Sequence, residues 1–247
     1  MRVCTSRPLF DTAMALLLLC AICLPFCLSS LSNAATPSPI VNTSVPSRRR
    51  TIILDAGHGG EDGGAVSSSG ALEKDLNLSL TLLLRDMLSA NGIHVILTRE
   101  SDALLYDRNV DFHGRKKALD LAARKTIAES TPNSLFVSIH MNTYPLPSCK
   151  GLQVWYSPND PDSRTIATHL QSNVCRYLQA QNDRTVKEAT SSIYLLHKLN
   201  TPAVLIECGF LTSPEESAML ESEDYRRLLA FVLFCSLSEI ENPCVQS

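Results

Sequence analysis

Several common signatures are missing from this chain of 247 residues, and each absence excludes a class of function. Charge is nearly balanced, with a formal net charge of −3, so no broad cationic field draws the chain to nucleic acid. The short basic runs Arg48–Arg50 and Arg115–Lys117 read as solvated surface. Nine cysteines are present, but Cys149, Cys175, Cys208, Cys235 and Cys244, the ones beyond the N-terminal apolar segment, contain no CxxC pair. This argues against a thiolate zinc finger, and the odd number there argues against an extensive disulfide framework. No internal repeat is visible, and no separate binding module fits after the main domain.

A full-length membrane span is also lacking. The longest apolar run, Ala13–Leu28, is broken by Pro25 and falls short of the roughly 20 residues that cross a bilayer comfortably. Arg2 and Arg7 precede it and the small, polar SSLSNAATPS follows, the layout of an export signal. Residues 1–34 are therefore expected to be a signal peptide or a membrane anchor. Cleavage near Ala34 or Ala35 releases the protein, whereas an uncleaved segment tethers it, and this is its only expected contact with a membrane. The cysteines of this segment, Cys4, Cys20, Cys23 and Cys27, form no convincing lipoprotein box. Residues 35–49 are rich in Pro, Ser and Thr and read as a flexible linker. That leaves residues 50–247, about 200 residues, to form one domain around one core.

Within that domain the chemistry-bearing residues recur at the ends of apolar runs. Thr51–Ala56 is a short β-branched run that delivers His58 into the glycine-rich stretch GHGGEDGG. The stretch lacks the Lys-Ser/Thr ending of a phosphate-binding P-loop, and no helix follows at the spacing a dinucleotide fingerprint needs. Glu73 opens EKDLNLSLTLLLRDMLSANG, predicted to be a helix with an acidic first turn and Gly92 as its C-terminal cap. A strand is expected over Ile93–Thr98, an irregular section over Glu100–Gly114, and a helix over Arg115–Ser130 that buries Leu119, Ala122, Ala123, Ile127 and Ala128. LFVSIH ends a strand at His140, and Gly151–Ser157 is a further strand carrying the single tryptophan, Trp155. Ser163–Gln181 has helical spacing, with Ile166, Leu170, Val174, Tyr177 and Leu178 on one side. AVLIE ends at Glu207, Ser213-Pro214 with Glu216 predicts a capping box, and a last helix runs from about Asp224 to Glu241. Alternating strands and helices predict an α/β fold, a single domain with a central mostly parallel or mixed β-sheet flanked by helices on both faces.

In such sheets ligands collect beyond the carboxyl ends of the strands, where His58, His140 and Glu207 are expected and Glu73 can reach them. Imidazoles and a carboxylate suit zinc, and a further carboxylate can move protons in a hydrolytic reaction. Each residue alone has a plainer role: a hydrogen-bonded histidine at a strand end, or a glutamate offsetting a helix dipole. Spacing by itself indicates only a metal hydrolase.

Four segments then support a family. ILDAGHGGEDGGA, LEKDLNL, LFVSIHMN and TPAVLIECGFLTSPEE resemble, in order and separation, the zinc-dependent N-acetylmuramoyl-L-alanine amidases. The resemblance spans Thr51–Ile240. It implies one Zn2+ ion held by His58, Glu73 and His140, Glu207 as catalytic acid/base, and peptidoglycan as substrate, cut between the muramic acid lactyl group and L-alanine. It also places Arg184 and Lys187 near anionic groups of the substrate, though a solvated loop explains them equally well. Ala56 stands where the family has proline, and LTSP replaces LSNP; neither change touches a ligand. EKDLNLSLTLLLRDMLSANG, TRESD and RKKALDLAAR look most like the sporulation branch that acts on spore cortex, with vegetative amidases sharing the same core. Two alternatives stay open at this point. One is a non-catalytic peptidoglycan-binding or regulatory domain of the same fold, and the other is a cysteine hydrolase using Cys208 with His140 or His197. The sequence identifies no protein activator.

Overall fold

The computed structural model describes residues 49–107, 109 and 113–241. The export segment, all but the last residue of the linker, and the tail from residue 242 lie outside the described residues. Six strands form one sheet in the order β2-β1-β3-β6-β4-β5. They are β1 (Thr51–Ala56), β2 (Val95–Leu97), β3 (Ser134–Asn142), β4 (Gln153–Tyr156), β5 (Lys187–Glu188) and β6 (Ala203–Phe210). The helices are α1 (Glu73–Ala90), α2 (Lys116–Glu129), α3 (Asp162–Tyr177), α4 (Tyr194–Lys198), α5 (Pro214–Glu221) and α6 (Glu223–Glu241). The sheet is mixed: β1, β2, β3 and β6 pair in parallel, and β4 runs antiparallel to β6.

Strand parity sorts the core into two layers, because successive side chains point to opposite faces. Ile52 and Leu54, Leu135, Val137 and Ile139, and Val204, Ile206 and Cys208 share one face with buried residues of α1, α3 and α6. Ile53, Phe136, Ala203 and Leu205 share the other with Ala128 of α2 and Leu195, Leu196 and Leu199 at α4. Helices thus cover both faces, as the alternation of elements predicts. Continuing the second set toward the carboxyl ends reaches Asp55, then Ser138 and His140, then Glu207. The face that is apolar at the base becomes polar at the rim.

The connections open a crevice at that rim. From β1 the chain leaves through α1 to β2 on one side, then returns through α2 to β3 on the other side of β1. The carboxyl ends of β1 and β3 therefore lie at a topological switch point, where doubly wound sheets bind ligands. Helix α1 is anchored below it by Leu76, Leu80, Leu84 and Leu88 at four-residue spacing, all buried. Its C-terminus closes as predicted: Gly92 takes φ +74° and the Ile93 N–H donates to Leu88 O at 3.1 Å.

Several boundaries and faces differ from expectation. The strand predicted over Ile93–Thr98 shrinks to Val95–Leu97, which pairs with β1 and is an edge strand among the described residues. Helix α2 turns Asp120, Arg124 and Ala128 inward rather than an alanine-leucine stripe; Ala122 is exposed. The reason is beneath it, since Asp55 is buried and needs a cation. Helix α3 stops at Tyr177 instead of Gln181, because the Gln179 side chain turns to accept the Leu152 N–H at 2.9 Å and secure the start of β4. Tyr177 then lies off the buried row, 64% exposed, with Arg176 over its ring. At α5 the Ser213 hydroxyl accepts the Glu216 N–H, but the reciprocal half of the capping box is absent. The Glu216 carboxylate instead accepts the N–H groups of Phe210 and Gly151, each at 2.8 Å, tying the end of β6 to the start of β4.

Candidate metal centre and catalytic cleft

The site begins with the glycine stretch after β1. His58 takes φ +62°, a left-handed conformation that costs a side-chain-bearing residue about 1–2 kcal/mol. Two glycines make room for what gathers there. A Cβ on Gly57 would lie 2.3 Å from the His140 ring, and one on Gly64 would lie 2.5 Å from Glu73 Oε2. The same residues could not crowd together around alanine.

Glu73 stands at the first position of α1, and its side chain points into the site rather than offsetting the helix dipole in water. The residue is 4% exposed. Its Oε2 accepts the Ala65 N–H at 2.9 Å, and its Oε1 accepts the Met141 N–H at 3.1 Å and an Asn77 amide N–H at 3.3 Å. Oε1 also lies 3.0 Å from His140 Nδ1 and 3.2 Å from His58 Nε2, while the two imidazoles meet edge to face at 5.0 Å. One ligating atom from each of His58, Glu73 and His140 falls within 4.8 Å of the others. Donors on a tetrahedral zinc with bonds of about 2.1 Å stand about 3.4 Å apart, so this cluster fits the ion. Burial on its own raises the Glu73 pKa, but the bonds and charges of His140 and His58 outweigh it and hold the carboxyl well below its usual range. The donor set is thus two imidazoles and a permanent anion, a combination suited to zinc.

Behind the first histidine stands Asp62, which the sequence reading did not single out. Its Oδ2 is 3.0 Å from His58 Nδ1. The approach is one of charge and distance only, since His58 Nδ1 makes no hydrogen bond, and it leaves Nε2 as the ring atom that faces Glu73. The available signal was its place four residues after His58 inside the glycine stretch. Asn77, one helical turn beyond Glu73, was missed in the same way; it bridges Glu73 and the Gly57 carbonyl, donating to the latter at 3.1 Å.

Glu207 is the register partner of His140 on the adjoining strand, so the two side chains share a face and an end. Burial is the main influence on its carboxyl and raises its pKa, with Glu73 adding to the rise and His140 and His58 opposing it. One of its oxygens, Oε2, is buried without a hydrogen-bond partner. A carboxyl with raised proton affinity, beside the donor cluster but not enclosed within it, is placed to exchange protons. These groups open onto a cleft of about 220 Å³ lined by His58, His140, Glu207 and the apolar Leu121, Leu195 and Leu205.

The two basic residues expected near substrate lie in different settings. Arg184 donates to Lys150 O at 2.8 Å and Gln153 Oε1 at 3.0 Å and stacks over the Phe210 ring at 4.5 Å. Gln153 is the register partner of Glu207, so Arg184 braces the strand beside the Glu207 carboxylate. Lys187 is exposed, 5.3 Å above the Trp155 ring. The cysteine-hydrolase alternative fails on placement. Cys208 is fully buried on the apolar face opposite His140 and Glu207, and burial with the surrounding carboxylates pushes its thiol well up. Cys149, Cys175, Cys208 and Cys235 are all free thiols.

Comparison with known proteins shows the family. The family model for N-acetylmuramoyl-L-alanine amidase matches residues 52–233, a range that includes all of the site residues just described. The germination-specific N-acetylmuramoyl-L-alanine amidase of Bacillus subtilis is 35% identical over 191 residues, covering 77% of this chain and 79% of the relative. The CwlD amidase of Clostridioides difficile, solved in complex with the GerS lipoprotein, is 38% identical, with a TM-score of 0.73 over 77% of this chain and 98% of that one. The amidase AmiC2 of Nostoc punctiforme is 28% identical, with a TM-score of 0.65 over 77% and 96%. The chain belongs to the N-acetylmuramoyl-L-alanine amidase family.

Proposed function

We propose that this chain hydrolyses the amide between the lactyl group of N-acetylmuramic acid and the L-alanine of the peptidoglycan stem peptide. In this reading His58, Glu73 and His140 hold one zinc ion, and Glu207 exchanges the protons. The observation that carries it is the meeting of three ligating atoms within 4.8 Å beside a buried carboxylate with an unpaired oxygen. Zinc, when bound, supplies Lewis acidity toward water and the scissile carbonyl. The chain's own residues do the rest. Glu73 contributes the fixed negative charge, Asp62 sets a carboxylate beside the His58 ring, and Glu207 takes a proton from the attacking water as the C–O bond forms. That proton passes to the nitrogen as the C–N bond breaks, so the products are a free lactyl carboxylic acid and an amine, which ionise in water to a carboxylate and an ammonium. Lys187 offers an exposed ammonium to an anionic part of the glycan or peptide, and Arg184 acts on the cleft through Gln153.

The resemblance to the germination-specific and CwlD amidases supports a role in spore cortex, with amide removal preceding muramic-lactam formation. The N-terminal residues 1–34 would carry the chain to the cell envelope, cleaved or as an anchor. Among the described residues no helix is long and apolar enough to cross a membrane. A protein partner is part of the proposal, supported by the lipoprotein bound to the Clostridioides difficile relative.

The test is mass spectrometry of a peptidoglycan digest with metal content measured on the same sample. Free stem peptides beginning with L-alanine, about one zinc per chain, loss of turnover on chelation and its return with zinc are expected. Peptides still attached to glycan, or turnover that persists after metal removal, would overturn the reading.

A further inference from the structure

Two arginines that the proposed chemistry does not use converge on the backbone that carries His58. Arg124, on α2, is 1% exposed, yet it bears a full charge. Its Nη1 reaches Asp55 Oδ1 at 2.5 Å and its Nε reaches Asp120 Oδ2 at 2.7 Å, so two carboxylates offset the cost of burying it. The remaining donors go to main chain: Nη1 to Ala56 O and Nη2 to His58 O, each at 2.8 Å. Arg99, just past β2, is 4% exposed and approaches the same turn from the other side. Its Nε donates to Ala56 O at 2.9 Å, and its Nη2 donates to Gly57 O at 3.0 Å and to Lys74 O at 2.8 Å.

We propose that Arg99 and Arg124 form a carbonyl clamp over Ala56, Gly57 and His58 that pre-positions His58 for metal binding, an inference that rests on the zinc reading above. Three successive carbonyls are held by two guanidinium groups, and the last of them belongs to the residue with φ +62°. A left-handed, side-chain-bearing residue relaxes unless its surroundings over-determine it. Relaxation here would swing the imidazole away from Glu73. The planar fork of Arg124 holds two carboxylates and two carbonyls together; a lysine ammonium, with three donors on a single nitrogen, can keep a charge facing Asp55 but cannot reach all four acceptors. The clamp also ties the ligands to one another. Lys74 follows the ligand Glu73, and Asp55 accepts the hydroxyls of Ser138 at 2.6 Å and Thr98 at 2.7 Å, Ser138 lying two residues before His140. Asp120 further accepts the Leu105 N–H at 2.7 Å, extending the network to the segment after Arg99. Arg99 and Arg124 are positioning residues in this scheme, and neither needs to touch substrate.

The experiment measures the zinc dissociation constant by competition with a chromophoric chelator, alongside the melting temperature of the metal-free protein. Arg124→Lys and Arg99→Lys are compared with Leu233→Ala, a cavity in the apolar core of α6. Partners behind metal ligands are typically worth about 10–100-fold in affinity. Each arginine variant is therefore expected to weaken zinc at least ~10-fold, while Leu233→Ala lowers the melting temperature and leaves zinc affinity within about twofold. Arg99→Lys reads the clamp independently should Arg124→Lys not accumulate as folded protein. Arginine variants that bind zinc like the wild type, or a core variant that weakens zinc equally, overturn the clamp. His58→Ala separates the two levels: if it leaves zinc binding unchanged, the metal reading itself fails and the clamp with it.

Discussion

The two faces of the sheet are built from the same strands but bury different things. On the α1, α3 and α6 face, β1, β3 and β6 contribute apolar side chains along their whole length, from Ile52 and Leu135 to Cys208. On the α2 and α4 face the strands are apolar only at the base, and the rim is given to Asp55, Ser138, His140 and Glu207. The first face is a packed layer that holds the strands in register. The second trades part of that packing for ionisable groups, each of which then requires a partner, a ligand or a proton. Function is therefore concentrated where the core is thinnest, and one face's packing supports the other face's chemistry.

The strongest way to sharpen this contrast is Glu207→Gln. It removes the exchangeable proton from the rim without changing size, so turnover on purified peptidoglycan should fall about 10²–10⁴-fold while zinc content is retained. Full activity in that variant would sink the proton-transfer role. Next in size is Asp55→Asn, which leaves Arg124 buried with one fewer carboxylate and should cost roughly 3–5 kcal/mol in denaturant unfolding. Burial works to raise the Asp55 pKa, but Arg124 and the hydroxyls of Ser138 and Thr98 outweigh it, so the folded value lies below the ordinary one. Stability from this carboxylate is then fully present above about pH 4 and is lost as pH falls through the depressed folded value. The acid limb of the wild-type stability profile should accordingly flatten in Asp55→Asn; an unchanged limb contradicts the pairing.

On the opposite face, Leu170→Ala should cost about 2–5 kcal/mol in stability and leave turnover per folded molecule unchanged. A large fall in turnover there would mean that the two faces are not separable. The smallest effect belongs to the outside of α6, where Leu228 is 55% exposed. Leu228→Ser should stay within about 0.5 kcal/mol of the wild type by thermal unfolding.

How much of this was legible beforehand depends on how local each interaction is. Strand β1, the start and Gly92 cap of α1, and the last helix follow from β-branching, leucine spacing and turn chemistry within a few residues. The inward face of α2 did not, because an arginine in RKKALDLAAR reads as solvent-facing until Asp55 is known to lie beneath it. Tyr177 and the Glu216 half of the capping box failed for a similar reason: distant main-chain groups of β4 and β6 compete for the same termini.

His58, Glu73, His140 and Glu207 could be nominated from the sequence because each ends or begins an element whose pattern is local, and the family segments aligned them. Tertiary structure decided that Glu73 turns inward to share one oxygen between two imidazoles, that His140 and Glu207 stand side by side, and that Asp62 lies beside His58. It also decided that Arg99 and Arg124 grip the turn between strand and glycines. These depend on parallel register and on the crossing of chain segments up to 69 residues apart, as for Arg124 and Asp55, which hydrophobic periodicity does not encode.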